Sequence, residues 1–123
     1  MKRTNLRKMT VDQLVGRFAM IAVDQDDALL ANDNAEVTRL FWLLEAIEDE
    51  LKLRDGDQRR ALLRLYDHPN MQVRLKAVKA TLAVAPPRAR QMLQAIADSR
   101  MYPQAGEAGM SLLNLERGIF KPT

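Results

Sequence analysis

The sequence holds no cysteine, one histidine, one tryptophan, two tyrosines and three phenylalanines in 123 residues. Without cysteine there is no disulfide, no thiolate metal ligand and no thiol nucleophile, and a small secreted domain would lack its common staple. A reducing cytoplasm is the expected compartment. The lone histidine, His68, has no second histidine or cysteine with which to form a dyad or a His-rich metal set. The few glycines form no phosphate-binding loop. No stretch reaches the roughly 20 apolar residues that a spanning helix needs. The basic start MKRTNLRKM followed by LVGRFAMIAV has the outline of a signal peptide, but Arg17 interrupts the apolar run, Asp12 precedes it and no small-residue cleavage site follows. The expectation is a soluble, unprocessed protein with no membrane partner.

A chain of this length hides roughly two-thirds of its unfolded surface, enough for one core without a metal or staple. One domain over residues 1–123 is therefore expected, with a basic arm at 1–9 and a short tail at 118–123. The net charge of +3 conceals an asymmetry. Residues 1–9 sum to +4, residues 10–57 to −8 and residues 58–123 to +7. Total charge is therefore a poor guide to a partner.

Helix signals recur along the chain and strand signals do not. Thr10 with Gln13 makes a capping-box pattern ahead of a first helix near 11–30, and Asp33 with Glu36 repeats it. The second helix carries Val37, Leu40, Phe41, Leu44, Ile47 and Leu51 at three- and four-residue steps. Asp55-Gly56-Asp57 ends it and opens a third helix near Gln58, which must stop before Pro69. Asn70 caps a fourth helix with two apolar stripes, one through Val73, Ala77, Ala80 and Val84, the other through Leu75, Val78 and Leu82. A helix apolar on two sides is expected between neighbours. Pro86 and Pro87 open a fifth with Ala89, Met92, Leu93 and Ile96 inward, and Pro103 opens a sixth. Short connections make successive helices antiparallel, giving an all-α stack of about six helices in three hairpins.

ALLRLYDHPNMQVRLKAVKATL set over QMLQAIADSRMYPQAGEAGMSLL pairs Asp67 with Asp98 and, after one inserted residue, Val73 with Ala105 and Ala77 with Gly109. An offset of about 31 to 32 residues suits a helical solenoid. DHPNMQVRLKAVKATL resembles the turn and second helix of a HEAT repeat: an Asp-Pro turn, Val-Arg, then spaced alanines. The fit is good over 58–85 and weaker over 88–117, where Gly106 stands in the place of Arg74. Through GDQRRALLRLYDHPN, TLAVAP and PQAGEAG the chain is similar to a family of short bacterial proteins classed as a domain of unknown function. The resemblance implies a HEAT-like α-solenoid and supplies no activity. It also implies a structural corner at Asp67, Pro69, Asn70 and Arg74, with Arg74 reaching Asp67 across the turn.

Chemistry-bearing clusters are few. Glu45, Glu48, Asp49 and Glu50 would suit a divalent cation, but the Glu-x-x-His pairs of di-iron bundles are absent, so a solvated helix face is the expectation. Asp24, Asp26 and Asp27 lack the glycine and downstream glutamate of a calcium loop. Asp57, Arg60, Arg64 and Asp67 read as an ion-paired face of the third helix. Gly106 and Gly109, with Ala105 and Ala108, suggest close approach of another helix, with a partner as the alternative. No catalytic residue, metal or cofactor is expected. In a HEAT-like stack the second helix of each pair lines the concave side, which nominates Arg39, Trp42, Gln72, Lys76, Lys79 and Gln104 for a partner. Trp42 lies off the core stripe, either as an exposed anchor or packed on the first helix. The expected function is a non-catalytic module binding a protein, as an adaptor or an immunity-like inhibitor. The alternative is nucleic-acid binding through the basic C-terminal half, since HEAT-like folds include DNA-binding alkylpurine glycosylases; the acidic first half and scarce aromatics weigh against it.

Overall fold

The structure is a computed structural model that describes residues 3–123. Among the described residues there are six α-helices, one 3₁₀ helix and no strand: α1 Arg3–Arg7, α2 Val11–Leu30, α3 Asn34–Leu53, the 3₁₀ helix Gln58–Leu65, α4 Met71–Ala80, α5 Pro86–Asp98 and α6 Gln104–Glu116. No helix among them is long and apolar enough to cross a membrane. The chain divides into two compact units, Met1–Ala61 and Leu62–Thr123, with the boundary inside the 3₁₀ helix.

In the first unit α2 and α3 pair over their 20-residue lengths. Thr10 and Gln13 form the full capping box, each backbone N–H donating to the other's side chain at 2.9 and 3.1 Å. Asp33 accepts from the Glu36 N–H at 3.1 Å, but the Glu36 carboxylate is taken by Arg39, leaving the second box half made. Leu14, Phe18 and Ile21 of α2 and Leu40, Leu44, Ile47 and Leu51 of α3 are buried, each side chain contributing roughly 1.5–3 kcal/mol. Gln25 joins them, buried, because its amide donates to the Val37 carbonyl at 3.1 Å.

The expected arm is partly a helix. Residues 1 and 2 lie outside the described residues, whereas Leu6 is buried and α1 packs on α3. Arg54 holds this contact, donating to the carbonyls of Leu6 and Met9 at 3.0 and 2.7 Å while its Nε meets Glu50 at 2.9 Å. The third helix differs from expectation in being 3₁₀. Asp57 stands at φ +50, outside the extended region an N-cap usually occupies, and its carboxylate accepts both the Arg59 backbone N–H at 3.3 Å and the Arg59 guanidinium.

In the second unit α4, α5 and α6 pack on one another. Asn70 Oδ1 accepts from the Gln72 and Val73 N–H groups at 2.9 and 3.2 Å. Both stripes of α4 are inside: Val73, Ala77 and Ala80 on one and Leu75, Val78 and Leu82 on the other are buried, Val84 alone being partly open. Leu93 and Ile96 of α5 and Ala105 and Ala108 of α6 are buried with them.

Candidate interaction surface

Trp42 is 64% exposed in the middle of α3. The reason is its phase: at 100° per residue it sits opposite the buried Leu40, Leu44, Ile47 and Leu51. Its ring meets Phe41 edge-on, centroids 5.0 Å apart. Three turns further along the same face Leu53 is 77% exposed. Glu45 and Asp49 lie between them one turn apart, so the face is two apolar side chains set among carboxylates.

Charge on this helix is crowded. Arg39, one turn before Trp42, is held by the Glu36 carboxylate; that bond raises Arg39 and lowers Glu36, and Asp24 of α2 adds to the field at Arg39. Burial pushes Glu48 up to about 7, with the negative charge of Glu45 reinforcing the rise and Arg59 opposing it. The acidic stretch is thus not wholly a solvated face. Among the described residues no group of three or more histidine or acidic side chains is placed to hold a metal ion.

The remaining nominated residues are differently placed. Gln72 and Gln104 are buried, and the Gln104 amide donates to the Gln72 side-chain oxygen at 3.0 Å across 32 residues of sequence. They are interior and leave the partner surface: two amides that satisfy each other tolerate burial that either alone would resist. Lys76 and Lys79 converge on one carboxylate of α6, with Nζ 3.8 and 3.0 Å from Glu107 Oε2. Burial pushes Glu107 up, but the two lysines and the Lys79 hydrogen bond bring it below its ordinary range.

At the turn, Pro69 is exposed, Asn70 is the cap described above, and His68 Nδ1 accepts the Asn70 N–H at 3.0 Å. The corner pair between Arg74 and Asp67 is not formed: Asp67 points to solvent, while Arg74 Nε is buried with no hydrogen-bond partner among the described residues. The close approach expected at the α6 glycines is also absent. A Cβ at Gly109 would meet nothing within 4 Å, and one at Gly106 only the Tyr102 ring at 3.8 Å, an ordinary contact. Sequence reasoning passed over Arg54, whose only signal was a Glu50–Arg54 spacing of one turn, and Leu53, which reads as the end of the core stripe.

Three comparisons bear on identity. The model of a family described as a domain of unknown function (DUF2019) matches residues 12–116. The crystal structure of the protein RPA1889 from Rhodopseudomonas palustris CGA009 is similar at 57% identity and a TM-score of 0.94, covering 96% of this chain and 98% of that one. Among curated proteins none matches.

Proposed function

Since the chain belongs to the DUF2019 family of unknown function, its role has to be read from its own surface, and we propose that it is a non-catalytic interaction module that binds a protein partner through the exposed face of α3. Trp42 is the anchor in this reading, and its exposure is the observation that carries it. A tryptophan standing opposite the core of a well-packed helix costs solubility and gives the fold little beyond its edge contact with Phe41, whereas tryptophans at the centre of interfaces dominate binding energy. Arg39 and Leu53 extend the contact, and the surrounding carboxylates favour a partner with basic side chains around its apolar pocket.

The fold reading that goes with it is a small HEAT-like α-solenoid of three hairpins acting in the cytoplasm. The pairings of α2 with α3 and α5 with α6 support it, and so does the Gln72–Gln104 bond, whose spacing of 32 matches the offset of the sequence repeat. Binding of nucleic acid has less support, because Lys76 and Lys79 already share Glu107.

The test is to identify partners by cross-linking in cells with wild-type and Trp42→Ala protein, then to measure the affinity of each recovered pair. Truncation is expected to cost about 2 kcal/mol or more, roughly 30-fold. Equal recovery and equal affinity with Trp42→Ala would remove the proposal. Duplex DNA or RNA bound tighter than about 1 µM at physiological salt would put the nucleic-acid reading in its place.

A further inference from the structure

The second unit contains an open groove of about 460 Å³, within the range of small-molecule sites. Its lining joins the 3₁₀ helix and the following turn to α5, with Tyr66 and Met92 as apolar walls and Arg64, Asp67, Arg88 and Gln91 as its polar groups. Two arginines and one aspartate thus belong to the lining.

The position of Arg88 is set from below. Thr81 Oγ1 donates to the Ala77 and Val78 carbonyls of α4, so the Tyr66 hydroxyl donates to Thr81 in a bond that is wholly buried. The tyrosine ring is thereby fixed, and the Arg88 guanidinium lies over it at 5.7 Å from the centroid. Stacking on a ring uses the face of a guanidinium and leaves the N–H donors on its edge for an acceptor. No carboxylate among the described residues forms an ion pair with Arg88. A guanidinium set over a fixed aromatic ring and beside an apolar wall is matched by a bidentate anion carrying an apolar body.

We propose that this groove binds a small amphipathic carboxylate, its anion received by Arg88 and its apolar part lying between Tyr66 and Met92. The proposal uses no residue of the Trp42 face and does not depend on the reading made there.

Hydrocinnamate is a suitable probe and its neutral amide, hydrocinnamamide, the control. In amide proton–nitrogen correlation spectra of the full chain, hydrocinnamate should produce saturable shifts at Tyr66, Arg88 and Met92 with a dissociation constant on the order of 1 mM, as expected for so small a ligand. The amide should bind about tenfold more weakly, and Arg88→Gln should weaken hydrocinnamate by about the same factor, each having lost the charge-assisted contact. Arg88 is exposed at the start of α5, so the substitution leaves the core alone; should the variant nonetheless lose its fold, the acid-to-amide comparison on wild-type protein decides. Absence of saturable shifts, equal binding of acid and amide, or unchanged affinity in a folded Arg88→Gln protein would each overturn the proposal.

Discussion

The two units solve the problem of interior polarity in opposite ways. In the first, apart from the neutral Gln25, charged groups do the work: Arg54 and Arg59 are 21% and 6% exposed at the side chain, the one tied to main-chain carbonyls and Glu50, the other to Asp57. In the second, the buried bonds are between neutral groups, Tyr66 with Thr81 and Gln72 with Gln104, and the ion pair of Lys79 with Glu107 stays at the surface. Arg74, with its Nε buried and unpaired, is the exception there. A buried charge left without its partner costs about 3–5 kcal/mol, against about 1–3 for a buried neutral group left unpaired. The first unit should therefore be the one sensitive to charge removal and to pH.

The sharpest way to break this contrast is Arg54→Ala. It orphans the Leu6 and Met9 carbonyls and leaves Glu50, 15% exposed, without its cation. The expected loss is about 2–3 kcal/mol by denaturant unfolding. Arg54→Lys should recover less than half of it, because one ammonium cannot reach both carbonyls and the carboxylate together. A loss below about 0.5 kcal/mol would show that α1 docks through Leu6 alone.

Glu48→Gln gives the next effect and sharpens the comparison through pH. The folded pKa of Glu48 is raised from about 4.5 to about 7, so the folded state keeps a proton that the unfolded chain releases. Its contribution is fully present below the unfolded value, is lost as pH rises through the folded one, and is flat above it. Full burial would put the cost near 3 kcal/mol, and partial exposure to solvent reduces it to about 1–2. Wild type and Glu48→Gln should thus be about equally stable near pH 4.5, with the variant ahead by that amount at pH 8. Equal stability at both would mean that water reaches the carboxylate.

The contrast also separates what the residues announced from what they hid. Helix boundaries were legible because Thr10, Asp33, Asn70 and the prolines act within a turn or two of themselves, and those local rules fix where a helix starts. The position of Trp42 followed from phase alone, although only packing could decide whether it was covered. Arg54 was hidden because its acceptors are main-chain carbonyls, which any residue supplies and no sequence pattern marks. Gln72 and Gln104 looked like surface residues because each alone is polar; their burial depends on meeting a partner 32 positions away. Arg74 was assigned a carboxylate partner by resemblance, and the carboxylate points elsewhere. The third helix was read from its flanking signals, Asp55-Gly56-Asp57 and Pro69, which mark where a helix starts and stops but not whether its turns are α or 3₁₀.

Glu107→Gln should have the smallest effect and tests the other side of the comparison. The carboxylate is 42% exposed and Lys79 37%, so water and salt screen the pair, which on an open surface is worth about 0.5 kcal/mol at pH 7. Burial pushes this carboxyl up, but Lys76 and Lys79 hold it lower on balance, so the stabilisation is present above the usual carboxylate range and disappears as pH falls through the depressed value. High salt should abolish it as well, on the order of 1 M being enough to shrink screening lengths to a few ångströms. Lys76 complicates the expectation in a useful direction, because its side chain is only 14% exposed and 3.8 Å from the same oxygen. If its ammonium relies on Glu107, the cost of Glu107→Gln should exceed that of Lys79→Ala, and Glu107→Gln with Lys76→Met together should restore stability. A cost above about 2 kcal/mol that persists in high salt would mean that the second unit also carries a charge in its interior, and the division of labour between the units would fail.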